Sequence, residues 1–215
     1  MSILELFVSA FIIGLSGAMM PGPLLTYVIN SSLRRGFIAG PLLVFGHALL
    51  ELTLVILMIL GLSKLFANST FTAVVGIIGG SVLFWMGYGM IKAAIKKEIS
   101  IEDASPKEGK VSGLILPGAI VSASNPYWIL WWATVGMTYL ANASKQGIMG
   151  VSAFYFGHIF SDLIWYSFVA WIVAFGRKVL NDKMYRGLVA VFGVVLIYFA
   201  ATFIIDGFRY FGFIW

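Results

Sequence analysis

The sequence predicts an all-α polytopic membrane protein, with six transmembrane helices arranged as two inverted-topology three-helix repeats and with helices 1 and 4 broken. Three observations predict it. Of 215 residues, 60% are apolar and only 11% are charged, whereas a soluble domain carries roughly 25% charged residues. Six apolar runs of membrane-crossing length follow one another with short connections between them. Finally, a segment of the first half recurs without a gap in the second. This composition excludes an ordinary water-soluble globule. The absence of cysteine excludes thiol-disulfide and thiolate-ligand chemistry. A net charge of +5 would suit nucleic acid, but the basic residues lie in the connections, where they read as membrane-orientation signals.

The six runs extend from about Ile3 to Asn30, Phe37 to Leu62, Phe71 to Ile95, Val111 to Leu140, Gly147 to Phe175, and Met184 to Phe208. The first is kept as a helix rather than a cleaved signal peptide, because it lacks a basic leading region, carries Glu5 near its start and exceeds an h-region in length. Residues 1–95 form the first repeat and 111–215 the second. Between them the mixed-charge run KKEISIEDASPKEGK, residues 96–110, reads as a solvated cytoplasmic linker. Arg34, Arg35, Lys92, Lys96, Lys97, Lys107, Lys110, Arg177, Lys178, Lys183 and Arg186 fall on one side of the membrane, and Lys64, Lys145 and Arg209 on the other. The positive-inside rule then places both termini outside the cytoplasm.

The repeat pairs RRGFIAGPLLVFGHALLEL, from Arg34, with KQGIMGVSAFYFGHIFSDL, from Lys145. Gly36 meets Gly147, Gly46-His47 meets Gly157-His158, and Glu51 meets Asp162. A weaker echo pairs GSVLFWMG, from Gly80, with GVVLIYFA, from Gly193. Each copy holds an odd number of spans, so the second enters the membrane from the opposite face, an architecture typical of transporters. Both first spans are interrupted. In MMPGPLL, Pro21 and Pro23 lack amide donors and oppose the carbonyls of Gly17 and Met19, while Gly22 permits unusual dihedrals. In SASNPYW, Pro126 opposes the carbonyl of Ser122, and Asn125 and Ser124 can rebond the freed backbone. Non-helical backbone at mid-depth has to be buried in protein or line a wet cavity, so the paired breaks point to a central binding site.

His47 and Glu51 lie four residues apart on one face of span two, and His158 and Asp162 repeat the arrangement on span five. A carboxylate near the bilayer centre costs about 2.5–3.5 kcal/mol on insertion scales. The four residues are expected to face inward beside the breaks, carrying protons or receiving a cationic group. A structural role, with each pair only locking helices together, is the plainer alternative. A sharper one is a divalent metal transporter, with all four as nitrogen and oxygen ligands, although bundle metal sites more often use Glu-x-x-His spacing. Asp206 is expected to pair with Arg209 three residues on. Tyr27, Tyr127, Trp128, Trp131 and Trp132 flank the breaks and can cage an ammonium, but packing is the expected role for most of them. Gly36 with Gly40, and Gly76 with Gly80, have the spacing of close helix contacts and allow a homodimer. No phosphate-binding loop, zinc-protease motif or nucleophile elbow is present, so an enzyme is not expected.

The Pro21-Gly22-Pro23 element, the following Arg34-Arg35-Gly36 with Gly40, six spans and the Asn125-Pro126 break together resemble the LysE-type amino-acid exporter family, the LysE/RhtB translocators, over nearly the whole chain. The sequence departs from the family pattern at Leu24, where a small or polar residue is common, and at His47 and His158. The resemblance implies proton-driven export of amino acids or similar small metabolites by alternating access, in the cytoplasmic (inner) membrane of a prokaryote, without a cofactor. Carried over by position, Gly22, Pro23, Asn125 and Pro126 belong to the substrate and gating region, to which Pro21 and Tyr27 are assigned as neighbours of the first break.

Overall fold

The computed structural model describes residues 2–20, 22–66, 68–100, 111–176 and 181–211. Pro21, linker residues 101–110, Arg177 and Lys178 lie outside the described residues. Every regular element among the described residues is helical. In chain order they are α1 (Ile3–Ala18), α2 (Pro23–Arg35), α3 (Ala39–Leu57), α4 (Ser63–Phe66), α5 (Ser69–Ile95), α6 (Ile115–Ala123), α7 (Pro126–Trp131), α8 (Met137–Ser144), α9 (Gly147–Gly176) and α10 (Asp182–Tyr210). Four helices are long and apolar enough to cross a membrane, namely Ala39–Leu62, Thr70–Ile95, Gly147–Gly176 and Asp182–Tyr210. Counting α1 and α2 as one bent span makes five.

Local chemistry sets the ends. A capping box opens α1, with the Glu5 amide donating to Ser2 Oγ at 3.2 Å and the Ser2 amide to Glu5 Oε2 at 2.9 Å. Asn68, Asn125 and Asn181 accept from the first-turn amides of α5, α7 and α10. Gly36 and Gly147, partners in the sequence repeat, both sit at positive φ, 77° and 62°, where the chain turns into α3 and α9. A Cβ on Gly36 would meet nothing within 4 Å, so it serves a turn rather than a helix contact, which corrects the expectation drawn from its spacing to Gly40.

The long helices pack crosswise between the halves of the chain, α1 along α9, α3 along α6, and α5 along α10. Lipid provides no hydrophobic drive for helix association, so small residues that let backbones approach are the means of packing. Gly40 faces Ala170 and the Tyr166 carbonyl, Gly46 the Ile115 carbonyl, Gly118 the Leu43 carbonyl, and Gly157 the Phe7 carbonyl. Gly76 and Gly80 lie against the Phe203 and Ala200 carbonyls of α10. The outside of this bundle is apolar, with Leu60, Trp85, Phe156 and Val194 exposed. The inside holds His47, Glu51, Ser122, His158, Ser161 and Asp162, all buried. Polar within and apolar without is the arrangement a bilayer requires.

Candidate functional site

Both breaks are closed in the same way. Pro23 starts α2 at 79° to α1, and Pro126 starts α7, each at a position where a missing amide costs nothing. The carbonyls facing the lost donors are taken from three residues on, by Met20 N to Gly17 O at 3.2 Å and Asn125 N to Ser122 O at 3.0 Å. Asn125 Oδ1 also accepts from the Tyr127 amide at 3.1 Å. Gly22 brings no side chain to cap α2, so the first-turn amides there have no intrahelical or side-chain partner.

Four-residue spacing puts His47 with Glu51 on α3 and His158 with Asp162 on α9, and the close approach at Gly40 brings the two helices together. His47 Nε2 lies 3.1 Å from Glu51 Oε1 and 3.3 Å from Asp162 Oδ2. His158 Nε2 lies 3.0 Å from Glu51 Oε2 and 3.7 Å from Asp162 Oδ2. Trp128 and Trp132, one turn apart, both donate to Glu51 Oε1 at 2.8 Å. His47 Nδ1 meets Ser122 Oγ at 2.8 Å, and that hydroxyl also lies 2.7 Å from the Gly118 carbonyl. One hydroxyl proton cannot serve both: when it goes to Gly118, Nδ1 of His47 is the donor, and Nε2 faces the carboxylates with a lone pair in the neutral ring or with an N–H in the imidazolium. His158 stacks on Trp131 with ring centroids 4.5 Å apart.

His47, Glu51, Ser122, Trp128, Trp131, His158 and Asp162 border one cavity of about 40 Å³, lined also by Gly17, Ala18, Leu24, Asn125, Tyr127 and Tyr166. No Lys or Arg lines it. Charge compensation for two buried carboxylates therefore falls to protons on the imidazoles or to a bound cation. A second cavity, about 610 Å³, lies between α5, α10 and the segment from Tyr127 to Met137, and shares Tyr127 and Trp131 with the first. Asp206 is at its rim, 3.4 Å from Arg209, as its spacing predicts.

The structure thus gathers His47, Glu51, His158, Asp162 and Asn125 around one space. Gly22, Pro23 and Pro126 shape the helix ends beside it. Tyr27 does not line it; α2 carries Tyr27 to a separate cavity of about 390 Å³ with Asn30, Arg34, Arg35 and Tyr185. Packing is the right reading for Tyr127, whose ring lies 6.0 and 5.9 Å from Phe199 and Phe203. Trp128 and Trp132 also pack in or against the core, but their indole N–H groups hold Glu51 as well, which packing alone does not describe. Sequence reasoning also missed Ser122 as a partner of His47. The i,i+4 spacing of Trp128 and Trp132 was the available signal for the first omission.

Comparison with known proteins places the chain in a family. The family model described as "LysE type translocator" matches residues 15–207. The fold and this match define a multi-pass membrane transporter, not an enzyme. The chain belongs to the LysE type translocator family. It is 24% identical over 207 residues to the "Putative amino acid efflux protein YcgF" of Bacillus subtilis (strain 168), covering 96% of this chain and 98% of that one. It is 24% identical over 195 residues to the "Chemotactic transduction protein ChpE" of Pseudomonas aeruginosa, covering 90% and 95%. To the "Threonine efflux protein" of Escherichia coli (strain K12) it is 29% identical over 183 residues, covering 80% and 83%. No solved structure matches significantly.

Proposed function

We propose that the chain exports amino acids or related small metabolites from the cytoplasm by proton antiport, with residues 1–95 and 111–215 acting as inverted three-helix halves joined by the 96–110 linker. The observation that carries this reading is the convergence of both helix breaks and both His–acid pairs on one cavity. That cavity, about 40 Å³, holds a water or an ion but not an amino acid. Holding protons and holding substrate are then mutually exclusive states of one space, which is the logic of an antiporter. Widening admits the zwitterion, its ammonium to Glu51 or Asp162 and its carboxylate to the open amides that start α2. Efflux activity in the names of two relatives supports the substrate class. The crosswise packing supports the repeat, because exchanging the halves maps the α1–α9 contact onto α6–α3 and the α5–α10 contact onto itself.

Reconstituted vesicles loaded with candidate amino acids test the coupling. Efflux is expected to quicken when the bath is more acidic than the lumen and to lose that dependence with a protonophore. Efflux indifferent to both pH gradient and voltage would sink the antiport, since a coupled charge draws about 2.3 kcal/mol per 100 mV. Topology has its own check in an inner membrane, made clean by the natural absence of cysteine. With both termini outside, Gln146→Cys is labelled by an impermeant maleimide in intact cells and Glu98→Cys only after permeabilisation. The reverse pattern inverts the orientation.

A further inference from the structure

We propose that His47, Glu51, His158 and Asp162 form a tetrahedral site for a divalent transition metal ion of the zinc class, and that filling it locks the transporter shut. Donors at about 2.0–2.2 Å from a tetrahedral ion stand about 3.3–3.6 Å from one another. Among the chosen donor atoms, His158 Nε2 stands 3.0 Å from Glu51 Oε2 and 3.7 Å from Asp162 Oδ2, and His47 Nε2 stands 3.3 Å from Asp162 Oδ2; one donor atom from each of the four residues can be chosen with all four within 4.8 Å of one another.

Ion pairing explains part of this clustering, but Glu51 Oε2, Asp162 Oδ2 and His158 Nε2 stand at ion-pair distance without a well-aligned hydrogen bond. The residues are 1% to 6% exposed, so bulk water does not serve these atoms either. Glu51 and His47 have the outer support that metal ligands ordinarily have, whereas His158 Nδ1 has no hydrogen-bond partner and its ring is held by stacking on Trp131. Trp128 and Trp132 occupy Glu51 Oε1 and leave Oε2 to bind. Ser122, when it donates to Gly118, takes the Nδ1 proton of His47 and, in the neutral ring, aims the Nε2 lone pair at the centre. The dianionic pair of carboxylates matches the charge of a divalent ion, and nitrogen with oxygen donors suits zinc better than magnesium or calcium.

Two ligands come from α3 and two from α9, so a bound ion ties the halves across the cavity through which they have to separate. Zinc also needs the lone pairs of both imidazoles, which bars the same atoms from carrying protons. The lock rests on the export reading; the metal site does not.

Melting of the detergent-purified full chain in rising Zn²⁺, with Mg²⁺ and Ca²⁺ as controls, tests the site, because a ligand of the folded state raises its apparent stability. Zinc is expected to raise the melting temperature saturably and the controls to leave it unchanged. The double variant His47→Gln, His158→Gln is expected to lose the shift, its metal-free melting curve reporting whether it folds. Ser122→Ala keeps all four ligands and is expected to weaken zinc about 10- to 100-fold. No shift in the unmodified chain, or a shift retained in the double variant, overturns the site. In loaded vesicles, zinc is expected to stop efflux and a chelator to restore it, with Ser122→Ala needing correspondingly more zinc. Efflux continuing at saturating zinc, or zinc itself crossing the membrane, overturns the lock while leaving the site standing. Absence of metal-free efflux would count against the export reading alone.

Discussion

Alanine at Glu51 is expected to abolish export and to leave little folded protein, whereas glutamine is expected to abolish export and fold. The carboxylate is 1% exposed and holds two indole N–H groups and two imidazoles. Truncation strands all four in a space without bulk water. Removing one partner of a buried ion pair costs about 3–5 kcal/mol, and each orphaned indole adds about 1–3 kcal/mol. Against a whole-domain stability of about 5–15 kcal/mol, that sum is close to the limit. Glutamine keeps one oxygen to accept from Trp128 and Trp132 but cannot take or lose a proton. Size-exclusion profiles in detergent check the folding, and vesicle efflux checks the transport. Normal efflux from Glu51→Gln would remove this residue from the coupling.

Valine at Gly46 is expected to break the bundle as thoroughly, though the residue touches no substrate. An added Cβ there falls on the Ile115 carbonyl, with the Ala119 amide 3.1 Å away, and backbone cannot step aside as a side-chain tip can. Overpacking commonly costs about 1–3 kcal/mol or more, and here α3 would be pushed off α6 along their shared seam. Gly89, in the same kind of helix, has nothing within 4 Å of its would-be Cβ. Gly89→Ala should therefore be neutral, or gain up to about 1 kcal/mol of helix propensity. Melting temperatures of the two variants measure the contrast. Equal temperatures would mean that the seam yields.

Much of this was legible in the sequence because a membrane punishes exceptions. Charged residues are so costly at mid-depth that Glu51 and Asp162 announced an interior, and prolines so disruptive that Gly22-Pro23 and Asn125-Pro126 announced their breaks. What escaped notice were features with no fixed sequence price. The π-helical turn at Trp132–Gly136 inserts one residue and shifts every later side chain around its helix, and the Met58–Leu62 segment kinks where Gly61 leaves helical backbone. Gly61, at φ 124° in that kink, looked like any membrane glycine. The indoles that hold Glu51 resembled packing aromatics because hydrogen bonding depends on what a helix faces, and periodicity alone does not say what that is. Position after the break puts Tyr27 beside the site, yet α2, bent 79° from α1, holds it in a separate cavity.

The crosswise pairing of the halves also bears on how the protein is made. Each polar face meets its partner only after synthesis of the other half, since 111 residues separate Glu51 from Asp162. At about 5–20 residues per second, that leaves roughly 5–20 s between the two. During that interval the nascent first half holds a histidine and a glutamate without their eventual neighbours. Insertion is thus a waiting problem, in which α3 carries its polar face unmatched until α9 is made.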